Sequence, residues 1–180
     1  MGIPWKTSVG KALTIEERVF LRSMASLTVL NFKRPVIVNI GVFRCASMYC
    51  LRAGAPSARL VGVDIIRCPT KIHPALRAEF IIEDSKVCCK NFKGPIHLLF
   101  VDGDHHYEAV KADIKNWVPK LVHRAFVVFH DYSPLPKDVK KIPHLEGVRR
   151  AIDEWSSGCP SWRRLAASGS LAAFQWRNVA

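Results

Sequence analysis

The chain has 180 residues, 49% of them apolar, with 27 Lys and Arg against 15 Asp and Glu, a formal net charge of +12. This is a globular composition with room for one domain, and it excludes a disordered basic tail. No run approaches the ~18–20 consecutive apolar residues of a membrane span. Charged residues between Lys6 and Arg18 interrupt any signal-peptide core, and the six cysteines contain no C-x-x-C pair, so reduced thiols in a cytoplasmic protein are expected.

Thr14-Ile15-Glu16-Glu17 has the capping-box pattern and predicts a helix over 15–27 with Val19, Phe20, Met24 and Leu27 on its apolar side. Pro35–Gly41 is a short apolar run bounded by Pro and Gly, the mark of a buried strand. A helix over 47–53 and a second buried strand over 59–65 follow. Phe80–Ile82 reads as a third strand, 86–92 as a short helix or turn, and 96–102 as a fourth strand. Val110, Ile114, Trp117 and Val118 give a helix over 107–121 one apolar face. A fifth strand over 125–129, a helix over 147–155 and a hairpin of 162–167 with 170–176 complete the chain.

Strands alternating with helices predict right-handed βαβ units. The expected fold is α/β and doubly wound, with a mostly parallel sheet and a C-terminal antiparallel hairpin. Residues 1–180 read as a single domain. Residues 1–14 form an N-terminal extension, and the Pro- and Lys-rich loop 133–144 is the expected lid.

Ligands of doubly wound sheets bind at the carboxyl ends of the strands. Here those ends carry Gly41, Asp64, Asp84-Ser85, Asp102-Gly103-Asp104-His105 and His130-Asp131. Asp64 stands at the end of the second strand, where an acidic side chain accepts from ribose hydroxyls; the competing reading is a strand-end cap. The first turn has a single glycine, which departs from the G-x-G-x-x-G pattern of pyrophosphate-binding enzymes. That disfavours NAD and leaves an adenosine ligand.

Asn39–Ser47 followed by Val61-Gly62-Val63-Asp64 resembles the first two motifs of class I S-adenosylmethionine-dependent methyltransferases. Asp102-Gly103-Asp104-His105-His106-Tyr107-Glu108 and Phe129-His130-Asp131-Tyr132 resemble a small branch that reads D-G-D-H-x-Y-E and F-H-D-Y. The resemblance implies a Rossmann-like fold and S-adenosyl-L-methionine as cofactor. It implies methyl transfer to oxygen of a small or sugar-like hydroxylated acceptor. Carried onto this sequence, Asn39, Gly41, Phe43 and Ser47 approach the methionine moiety, Asp64 and Ile65 the ribose, Asp84 and Ser85 the adenine, and Asp102 the amino-acid end. Two positions depart from the pattern. Asn39 stands where many relatives are acidic, and Cys45 where a second glycine is usual. They support the alternative, a catalytically inactive cofactor-binding or scaffold module.

Some enzymes of similar fold hold Mg²⁺ between two such strand ends, which makes Asp102 and Asp131 the candidate ligands of a divalent cation. The competing reading is loop hydrogen bonding. His105 and His130 flank the same crevice and are the candidate proton acceptors for a hydroxyl acceptor. The basic excess is spread along the chain, except that residues 101–133 carry four Lys or Arg against five Asp or Glu. A small-molecule acceptor, anionic given the basic surroundings, is therefore favoured over nucleic acid, which rests on the net charge alone. A homodimer, in which a second subunit completes a shallow acceptor pocket, is the assembly this reading allows.

Overall fold

In a computed structural model, residues 13–69, 71–134 and 136–177 are described; residues 1–12 of the expected extension lie outside them. The chain runs α1 (Ile15–Asn31), β1 (Val36–Ile40), α2 (Ala46–Gly54), β2 (Arg59–Asp64), β3 (Glu79–Ile82), α3 (Ser85–Asn91) and β4 (Ile96–Val101). It continues through α4 (Tyr107–Trp117), β5 (Leu121–Phe129), α5 (Pro136–Lys141), α6 (Leu145–Gly158), β6 (Trp162–Ser168) and β7 (Leu171–Trp176). The seven strands form one sheet in the order β3-β2-β1-β4-β5-β7-β6. β1 to β5 are parallel, and the hairpin β6–β7 adds two antiparallel strands at the β5 edge. No helix among the described residues is long and apolar enough to cross a membrane.

Alternation along the central strands builds two apolar layers. In β4, Leu99 and Val101 face the layer that holds Val110, Ile114 and Trp117 of α4, while Leu98 and Phe100 face the layer that holds Leu21 and Met24 of α1. Both sheet faces are thus covered, so the central strands are mostly apolar. The chain leaves β1 toward β2 and returns on its other side as β4, which opens a crevice at the carboxyl ends of β1 and β4. Gly41 closes that crevice tightly. Its φ is +79°, and a Cβ there would stand 1.8 Å from the Asp102 carbonyl oxygen, so only glycine fits.

Three expectations change in the structure. The capping box is present, but α1 buries Glu17, Arg18, Leu21, Met24, Ala25 and Thr28, leaving Val19 and Leu27 exposed. α4 stops at Trp117, because Pro119 sits in a 3-10 turn over 118–120 and β5 already begins at Leu121. Within the expected lid loop, residues 136–141 are helical.

Candidate active site

A cavity of about 600 Å³ opens at the carboxyl ends of β1, β2, β4 and β5, within the range of small-molecule sites. Gly41, Phe43, Asp64, Ile65, Asp84, Ser85, Asp102, His105, His130 and Asp131 all line it. Asn39 and Ser47, expected beside the methionine, are buried and stand behind the wall. The Asn39 amide Nδ2 donates to the Gly41 carbonyl at 2.8 Å, and its Oδ1 is buried without a hydrogen-bond partner.

Asp64 organises the first turn. Its Oδ2 accepts from the amides of Val42 (2.8 Å) and Phe43 (2.9 Å), and its Oδ1 from Ile66 (3.0 Å). A carboxylate offers about four acceptor positions, so one remains for a ligand hydroxyl. The turn it braces is unusual, since Phe43 and Cys45 both have left-handed backbones, at φ +43° and +65°. The glycine usual at the Cys45 position thus answers a backbone demand that Cys45 meets with a side chain. On the adjacent wall, Asp84 caps α3 by accepting from the Lys86 amide. The Ser85 hydroxyl donates to Asp113 of α4. Burial pushes the Asp113 carboxyl up to about 6, and the Ser85 bond only partly offsets it.

The ends of β4 and β5 bring Asp102, His105, His130 and Asp131 together, with one donor atom of each within 4.8 Å of the others. His105 Nε2 lies 2.9 Å from Asp131 Oδ2 and 3.8 Å from Asp102 Oδ1. His130 Nδ1 faces Asp131 Oδ2 at 2.9 Å and Asp102 Oδ1 at 3.1 Å, and a nitrogen facing two carboxylate oxygens carries a proton. Contacts with Asp102 and Asp131 raise His105 to about 9 against the cost of burial. Burial works against the His130 cation too, but Asp102, Asp131 and Glu17 outweigh it and hold its pKa well above the ordinary value. Burial would raise Asp131 as well, yet the two imidazoles keep it well below the usual carboxylate range. The carboxylates thus favour the charged form of both imidazoles, while His130 Nε2 is buried without a hydrogen-bond partner. The two histidines expected as proton acceptors therefore each face the carboxylates of Asp102 and Asp131.

The same geometry bears on the cation expected at Asp102 and Asp131. Their carboxylates converge, but the imidazoles stand between them, and the Tyr132 hydroxyl that follows is turned to Asp153 at 2.7 Å. Two imidazole nitrogens and two carboxylate oxygens do not fit Mg²⁺, which takes an all-oxygen shell.

Glu17 is the member of this site that was not anticipated. It is buried at the start of α1, accepts from the Thr14 amide and from the amide and hydroxyl of Ser170, and stands 3.8 Å from His130 Nε2. Burial alone would raise its carboxyl, but the contact with His130 and these hydrogen bonds hold it at about 2. Its only trace in the sequence was the capping box, which accounts for it as a helix cap. The far end of the expected lid also reaches the site, where His144 stacks on His106 at 4.3 Å.

The sequence profile of a family described as Methyltransferase domain matches residues 38–132, more than half of the chain. The chain belongs to this methyltransferase-domain family. Over 50 residues, 28% of its length, it is 52% identical to the uncharacterized protein y4gI of Sinorhizobium fredii, and it spans about 4% of that curated relative. Among solved structures, cofactor-bound Rv0187 from MTB superposes with a TM-score of 0.70 at 16% identity, covering 94% of this chain and 83% of that one. An O-methyltransferase from Bacillus cereus in complex with SAH superposes with a TM-score of 0.67 at 14% identity, covering 92% and 82%. The methyltransferase-domain chain thus shares the fold of these proteins over most of its length.

Proposed function

We propose that this chain is an S-adenosylmethionine-dependent methyltransferase acting on oxygen of a small or sugar-like hydroxylated acceptor. The lining of the cavity carries the reading. Seven carboxylates, those of Asp64, Glu83, Asp84, Asp102, Asp104, Asp113 and Asp131, outnumber Lys86, His105 and His130 there, in a chain whose net charge is +12. Such a field favours a ligand bearing a sulfonium and an ammonium, and opposes a pyrophosphate. Asp64 keeps an acceptor position for the ribose, Asp84 and Ser85 form the adenine side, and Gly41 lets the wall between β1 and β4 close.

When bound, the cofactor supplies an electrophilic methyl group on sulfur. The protein's part is to orient the acceptor and manage its proton. His105, a third exposed, is the imidazolium that reaches an acceptor, and a cation beside a hydroxyl lowers its pKa. Asp102, at the floor of the same crevice, receives the proton. His130, deeper and flanked by three carboxylates, positions Asp102 and Asp131. Arg44, stacked over Phe43 at the rim, and Lys86 favour an anionic acceptor, and nucleic acid is not the partner proposed. We place the protein in the cytoplasm, where its six unbridged cysteines stay reduced in the absence of an added oxidant, and assign it a homodimer through α1.

Calorimetric titration with S-adenosylhomocysteine tests the function. Micromolar binding is expected, and folded protein that binds neither this product nor S-adenosylmethionine overturns it. Binding without turnover over a panel of hydroxylated acceptors would instead favour the scaffold reading, for which the inward-turned Asn39 is the supporting observation.

A further inference from the structure

We propose that Cys45 and Cys68 are a thiol pair that a peroxide oxidises to a disulfide, fastening together the two loops that wall the cavity. The Sγ atoms lie 3.0 Å apart although 23 residues separate them in sequence, so about one ångström of side-chain movement reaches bonding distance. Cys45 belongs to the turn after β1 that places Gly41 and Phe43 in the cavity wall. Cys68 follows Ile65 and Ile66, which line the facing wall after β2. The Asp64 carboxylate already ties the same loops through the amides of Val42, Phe43 and Ile66. A disulfide would add a covalent tie to that hydrogen-bonded one.

The two sulfurs are suited to different steps. Cys68 is half-buried and open to a small oxidant, whereas Cys45 is buried. The Cys68 thiolate attacks the peroxide, the O–O bond breaks and Cys68 becomes a sulfenic acid, while the departing hydroxide takes up the proton that the Cys68 thiol released and leaves as the first water. The Cys45 sulfur then bonds to the sulfenic sulfur, the S–O bond breaks, and the Cys45 proton departs with the hydroxide as a second water. Two thiols and one hydrogen peroxide thus give one disulfide and two waters. Burial pushes the Cys45 thiol well above the ordinary range, Cys50 up to about 12 and Cys88 up to about 11, so none of these is the attacking thiol, and Cys45 acts only once Cys68 is oxidised. Cysteine at position 45 in place of glycine thereby has a use that its left-handed backbone alone gives no reason for.

That the fastened loops hold S-adenosylmethionine rests on the function proposed above, and the experiment keeps the two apart. A Cys159→Ser background removes the other partly exposed thiol, and purified protein is treated with hydrogen peroxide and then with dithiothreitol. Peptide mapping should find a Cys45–Cys68 cross-link, with two thiols lost and recovered on reduction. The melting temperature should rise by about 5–10 °C, as closing a loop of this length implies. Cys68→Ser should abolish both changes. Oxidation that maps elsewhere first, that leaves Cys68 over-oxidised without a cross-link, or that fails to raise the melting temperature overturns the proposal. S-adenosylhomocysteine should leave the oxidised form several-fold more slowly than the reduced one, and equal rates overturn the fastening of the cofactor walls. If it binds neither form, the proposed function fails, while the disulfide is still decided by mapping and melting.

Discussion

Three backbone amides converge on the Asp64 carboxylate, so removing it unbraces the turn as well as any ribose contact. Asp64→Ala should cost about 1–2 kcal/mol of stability, the scale of hydrogen bonds to a charged group whose donors are largely open to water, and weaken S-adenosylhomocysteine by more than tenfold. Asp64→Asn keeps one oxygen and should lose less of both; thermal melts and calorimetry separate the two effects. If neither variant changes binding, Asp64 is a cap and nothing more. Asp131 differs, because its carboxylate neutralises two imidazoles at once. Asp131→Asn should destabilise the protein by ~3 kcal/mol, as breaking a buried ion pair does. Millimolar Mg²⁺ should leave the melting temperature and S-adenosylhomocysteine affinity of the wild type unchanged, and a clear shift in either would reinstate the Mg²⁺ site. Asp64, Asp102, His105, His130 and Asp131 were all legible because strand ends are recognisable from apolar runs that stop on polar residues. What the strands could not reveal was the partner of each group. Whether a histidine faces carboxylates, or a helix-capping Glu17 reaches Ser170 and His130, depends on the packing of α1 against the ends of β5 and β7.

At the level of elements, the pairing of α3 with α4 has a pH signature. Asp113 of α4 is buried, accepts from Ser85 of α3, and has its carboxyl raised to about 6 from an ordinary value of 3.8. A carboxyl with a folded pKa above its unfolded one stabilises most fully below the unfolded value. That contribution fades as pH rises from about 4 through about 6. Asp113→Asn removes the titration, so the variant should gain on the wild type over that interval, by at most ~3 kcal/mol for a two-unit shift. Urea denaturation of both proteins at about pH 5 and about pH 7.5 measures the difference, and an unchanged gap between them refutes the assignment. The helices also show where periodicity misleads. The apolar residues of α1 lie on more than one side, and the burial of Glu17, Arg18 and Thr28 reflects hydrogen bonds to Ser170, Leu13 and Met24 that no hydropathy pattern contains. β5 starts four residues before the expected strand, because Leu121 pairs with Ile96 before the register shifts to Leu98 and Phe126.

For the molecule as a whole, the parallel core followed from the alternation of elements and the terminal hairpin from its two closing runs, since the handedness of βαβ crossovers leaves few alternatives, whereas the strand order came from the structure. Assembly is written in what α1 leaves uncovered. Ile15, Val19, Leu27 and Leu30 fall within one third of the helix circumference, and they are 60%, 47%, 43% and 82% exposed. The homodimer proposed above takes this stripe, which Glu16 and Ser23 interrupt, as its contact surface. Its position matters for the site, because Ile15 is two residues from Glu17, which faces His130. A second copy docked along α1 would stand beside the crevice, where an acceptor pocket needs another wall. Light scattering after size exclusion should therefore give a dimer. Val19→Glu with Leu30→Glu should give a monomer of nearly unchanged melting temperature, since neither side chain belongs to the core. The monomer should keep its affinity for S-adenosylhomocysteine, whose walls all come from one chain, and lose affinity for the acceptor. A wild-type monomer at micromolar concentration, or a double variant that still dimerises, would show that the stripe has another purpose.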